Sequence, residues 1–151
     1  MEKILIVLVC SVLAVSGCSA QTRLTRLKNR GENVVIVEIK GNVNIAKQDI
    51  KEIAKALNLI YLDNTETNDY VEVRQNNVTA AFKSLLFGSM AAGYTKLGFF
   101  FSYNNETDKD MITISEEVSA FGNPQRNFFV DKLKLRDLER QKQAEKANHG
   151  I

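Results

Sequence analysis

The chain holds a single histidine, His149, the third residue from its C-terminus. One imidazole in a charged terminal segment leaves no partner set for a Ser-His-Asp triad and too few nitrogens for most zinc sites. The paired acids do not replace it. Glu116 and Glu117 are neighbours in a run that reads as a strand, so their carboxylates point to opposite faces. Asp108 and Asp110 fall in a polar turn, and a calcium loop needs more oxygen ligands and an ordered glycine. Gly88-Ser89-Met90-Ala91-Ala92-Gly93-Tyr94-Thr95 has the glycine spacing of a phosphate loop. Tyr94 stands where the lysine is required, and a strand follows where a helix should start. These residues predict a protein that is not an enzyme and carries neither metal nor cofactor.

The remaining reactive side chain is a cysteine. Glu2 and Lys3 open the chain, and residues 4–15 are almost wholly apolar, the length of a secretory h-region. That run is shorter than the roughly 20 apolar residues a membrane-spanning helix needs. It ends in Val15-Ser16-Gly17-Cys18, which resembles the lipobox of bacterial lipoproteins. The resemblance implies a signal peptide over residues 1–17, a diacylglycerol on the Cys18 thiol and cleavage just before it. Cys10 would leave with the signal, so the mature chain would have no disulfide and no free thiol. Acyl chains such as palmitate anchor by about 0.8 kcal/mol per buried methylene. Ser19, with no Asp after the cysteine, implies by the enterobacterial sorting pattern the periplasmic face of the outer membrane.

Residues 18–32 read as the lipidated cysteine and its tether, with Arg23, Arg26, Lys28 and Arg30 around Leu24 and Leu27. The formal net charge is only +2, which predicts no nucleic-acid partner. Residues 33–119 read as one globular domain. Val34 to Ile39 is β-branched and short, a first strand. Over 46–58, Ile50, Ile53, Ala54 and Leu57 fall at the spacing of one helical face. Residues 59–62 form a second strand. Tyr70-Val71-Glu72-Val73-Arg74 alternates, which predicts a third strand with one wet face. Val78, Ala81, Phe82, Leu85 and Leu86 predict a second helix over 78–90, started by Asn77. Residues 97–103 and 111–118 predict a hairpin, with Phe99, Phe101 and Tyr103 on one face and Phe100 on the other. Residues 120–151 are strongly charged. Phe128, Phe129, Leu133, Leu135 and Leu138 give at most a weak helix, with a disordered end beyond Glu139. Phe100 is expected either to meet Phe128 and Phe129 or to form an exposed patch. The expected fold is an α+β two-layer sandwich in the order β-α-β-β-α-β-β, with two helices on a small mixed sheet.

Residues 34–116 resemble the short N-terminal module of outer-membrane secretins and of signalling TonB-dependent receptors. The likeness rests on Ile53-Ala54-Lys55-Ala56-Leu57-Asn58-Leu59, the strand Ile60-Tyr61-Leu62-Asp63, Val71-Glu72-Val73, and Asn77-Val78-Thr79. It continues through Ala81 and Leu85-Leu86 to Phe101-Ser102-Tyr103 and Met111-Ile112-Thr113-Ile114. A glycine usual after the first helix of that family is Asn58 here. The resemblance implies a protein-docking role in an envelope-spanning complex of the secretion or conjugation type. Tyr70, Val71 and Val73 are then candidate partner contacts if their strand is a free edge, with Phe100 as a fourth. The competing expectation is a periplasmic lipoprotein that binds a small ligand or cell-wall fragment.

Overall fold

The computed structural model describes Leu24, residues 34–75, 81–82, 85–86, 93–119 and 122–150. The signal region, Cys18 and Asn77 lie outside the described residues. Asn33–Ile151 forms one compact unit. It is an α+β fold built of β1 (Val35–Ile39), α1 (Val43–Ala56), β2 (Leu59–Leu62), a 3-10 turn (Asp63–Thr65), β3 (Tyr70–Gln75), β4 (Thr95–Asn104), β5 (Lys109–Val118) and α2 (Arg126–His149).

Helix α1 starts three residues before the apolar stripe. The Asn42 side chain accepts the Ile45 N–H at 2.9 Å and so caps one of the free donors of the first turn. The helix buries Ala46, Asp49, Ile50, Ile53 and Ala54. It stops at Asn58, whose φ of 56° is left-handed. Asparagine tolerates that conformation better than any branched residue and serves where a glycine commonly ends a helix. The hairpin of β4 and β5 turns through Asp108, also left-handed at φ 54°.

The five strands are ordered β1-β5-β4-β3-β2. Every neighbouring pair is antiparallel, so the sheet is not the mixed one expected. β1 and β2, joined by α1, run the same way but occupy opposite edges, and the later strands fill the space between them. Strand β3 is interior, paired with β2 and β4, so the free-edge condition attached to Tyr70, Val71 and Val73 is not met.

One sheet face carries the core. Val37 and Ile39, Val71 and Val73, Leu97, Phe99 and Phe101, and Ile112 and Ile114 pack against α1 and against Phe129, Val130 and Leu133 of α2. This corrects two expectations. The helix seen to pack beside α1 is Arg126–His149; of the expected helix 78–90, the described residues Ala81, Phe82, Leu85 and Leu86 are helical but exposed. The charged C-terminal segment is helical through His149 and belongs to the core. Its apolar residues lie on two sides. Phe129 and Leu133 are buried, whereas Phe128, Leu135 and Leu138 stay about half exposed. A helix apolar on both sides shows no single stripe, which is why its sequence reads as weak.

Phe100 does not meet the C-terminal segment. It is buried on the other sheet face, 4.9 Å from the Tyr70 ring. The ring that α2 brings is Phe129, edge-on to Phe99 at 5.2 Å. Tyr103 leaves the core row and is exposed.

Candidate functional site

Three features bear chemistry: a charged cluster on β3 and β4, an ion network between the helices, and the sheet edges. In the first, the alternation of β3 puts Tyr70, Glu72 and Arg74 on the face away from the helices. The expected wet face is dry at its start, since Tyr70 and Glu72 are both buried. The Glu72 carboxylate accepts the Tyr70 hydroxyl at 3.1 Å and the Arg74 Nε–H, and Lys96 lies 3.7 Å away. That hydrogen bond to Glu72 is the main cause holding the Arg74 guanidinium above its ordinary value. One hydroxyl and two cations thus engage the Glu72 carboxylate, as burial of a charged group requires. Gly98 sits opposite Glu72 and Ser115 in the register. A Cβ there would lie 2.7 Å from Ser115 Oγ and 3.3 Å from both the Tyr70 and Phe100 rings. The missing side chain is what lets these groups close over β4.

The second feature joins elements far apart in sequence. Asp49, buried in the middle of the α1 stripe, binds Arg136 at 3.2 Å and also Arg140. Arg136 also binds Glu52. The hydrogen bond from Arg136, with a second from Gln48, holds the Glu52 carboxyl below its ordinary value. The same bond raises Arg136. Asp137 accepts the Lys40 N–H through both oxygens, at 3.2 and 3.3 Å, and so ties α2 to the end of β1. At the helix start, Glu116 accepts the N–H groups of Gln125 and Arg126, each at 2.7 Å. A carboxylate at a helix N-terminus meets free donors and the positive end of the dipole. Glu116 is therefore a capping residue, and Glu117 on the opposite face is exposed. Sequence reading missed Asp49, although its i+4 neighbour Ile53 belongs to the buried stripe of α1.

The edges are β1 and β2. Tyr61 on β2 donates its hydroxyl to Glu66 at 2.9 Å. Burial first, then that acceptor, raises its phenol well above the ordinary value. Lys47 closes the neighbouring loop by donating to the Thr67 carbonyl at 2.7 Å. β2 has four residues and runs directly into the 3-10 turn. β1 has five, with Ile36 half exposed and Glu38 paired to Lys109 at 3.4 Å.

The grooves among the described residues are open to solvent. One of about 110 Å³ is lined by Leu57, Asn58, Leu59, Gln75 and Thr95 among others. Another, beside α2, has about 340 Å³ and is bordered by Lys40, Gly41, Asp137 and Arg140. Neither gathers a nucleophile with a base. No helix among the described residues is long and apolar enough to cross a membrane. Cys18 lies outside the described residues. No protein-family profile, curated protein or solved structure matches this chain.

Proposed function

We propose that this protein is a membrane-anchored lipoprotein whose α+β domain docks another protein in the cell envelope and performs no catalysis. The observation that carries the reading is Val15-Ser16-Gly17-Cys18 at the end of a 12-residue apolar run. Acylation of Cys18 would hold the chain at the periplasmic face of the outer membrane. The domain supports the docking half of the reading. Its acids and cations are engaged with one another in the Glu72 and Asp49 clusters, while among the described residues β1 has no strand beyond it and Phe128, Leu135 and Leu138 of α2 stay about half exposed. Backbone donors on a strand edge recognise another extended chain, the physical basis of strand addition.

Metabolic labelling with an alkyne palmitate, comparing the natural chain with Cys18→Ser, tests the anchor. Label on the natural chain and none on the variant is expected. An unlabelled natural chain, or label retained in the variant, would refute it. Crosslinking in intact cells then tests docking: recovery of a subunit of an envelope complex, linked through 33–119, is expected. Recovery of the chain with no protein partner would count against it.

A further inference from the structure

We propose that β1 is a self-association edge, at which two copies of this chain join their sheets into one of ten strands. β1 is hydrogen-bonded to β5 on one side only. Among the described residues no backbone group bonds its other side. Native sheets guard such an edge with lysine, proline, a bulge or a cover. Val35-Ile36-Val37-Glu38-Ile39 has no lysine and no proline, and its pairing with β5 runs residue for residue without a bulge.

The strand's own pattern says what fits it. Two copies paired antiparallel about Val37 would match all five residues. Val35 would face Ile39 of the second copy and Val37 would face Val37, so the apolar row beneath the helices continues across the junction. On the other face Ile36 would lie opposite Glu38 of the second copy. No like charges meet, and Glu38 keeps Lys109 within its own chain. At the C-terminal end of the strand the described residues leave the pairing clear. The Lys40 N–H is already taken by Asp137, and Gly41-Asn42 turns away into α1. A two-fold contact must be complementary to itself, and this edge is. The inference goes beyond the docking reading and does not depend on lipid at Cys18.

The test is sedimentation of the full chain in detergent over a concentration series, with circular dichroism to confirm that each variant folds. A dimer is expected for the natural chain. Ile36 is half exposed, so Ile36→Glu leaves the core intact and sets two carboxylates against Glu38, once on each side of the axis. The dissociation constant should rise about tenfold, from like charges placed opposite one another in two cross-strand pairs. The double variant Ile36→Glu/Glu38→Lys restores opposite charges at the same places and should recover the dimer. A monomeric natural chain overturns the proposal. So does a dimer that Ile36→Glu leaves unchanged, or one that the double variant fails to restore.

Discussion

Removing the Phe129 ring should cost far more than removing the ring beside it. Phe129 is fully buried and sits edge-on to Phe99 at 5.2 Å. Phe129→Ala would lose the transfer energy of the ring and leave a cavity between α2 and the sheet, about 3–5 kcal/mol. A domain of this size has a total stability of only about 5–15 kcal/mol. Phe128 is 46% exposed. Burying a whole phenylalanine side chain stabilises by about 1.5–3 kcal/mol. Half of that is already forgone at Phe128, and water fills the space its loss leaves. Phe128→Ala should therefore cost about 1 kcal/mol or less. Urea unfolding followed by circular dichroism separates the two. The midpoint should fall sharply for Phe129→Ala and little for Phe128→Ala, with the slope unchanged in both. Equal small losses would refute the packing of α2 on the sheet. They would restore the expectation that residues 120–151 form at most a weak helix outside the core.

Gly98→Ala should destabilise by about 1–3 kcal/mol, because its Cβ would press on Ser115 Oγ and two rings. Adding Ser115→Ala should recover part of that loss in the same urea assay, and strict additivity would refute the contact. The Glu52 carboxyl is held below its ordinary 4.5 by Arg136 and Gln48. Its contribution is then present above about pH 4.5 and is lost as pH falls through the lower folded value. Glu52→Gln should flatten the acid limb of stability against pH, and an unchanged limb would show that the pairing with Arg136 is not made in solution.

Much of the fold was legible because its signals are local. The α1 stripe repeats every three to four residues, and its end fell at Asn58, where a left-handed residue was needed. Residues 97–103 and 111–118 marked a hairpin, which the structure contains with each strand longer, Thr95–Asn104 and Lys109–Val118. Glu116 and Glu117 were correctly assigned to opposite faces, although nothing nearby in sequence marked Glu116 as the cap of α2. The site was less legible. Glu72 was placed on a wet face because alternation reports which residues share a side, not whether that side is covered.

What the sequence determined by itself is the type of the short strands and of α1, which residues of each share a side, and the Val15-to-Cys18 motif. These depend on periods of two and 3.6 residues or on adjacent side chains. What only the tertiary structure decided is strand order, which made β3 interior and left β1 at an edge, and the choice of the helix that joins α1. Those outcomes rest on contacts such as Arg136 with Asp49, 87 positions apart, and Lys40 with Asp137, 97 apart. Helix α2 has apolar residues on opposite sides, so its local pattern favours neither. The side bearing Phe129 and Leu133 is buried because Phe99 lies opposite and the Asp49 and Lys40 contacts hold the helix in that rotation.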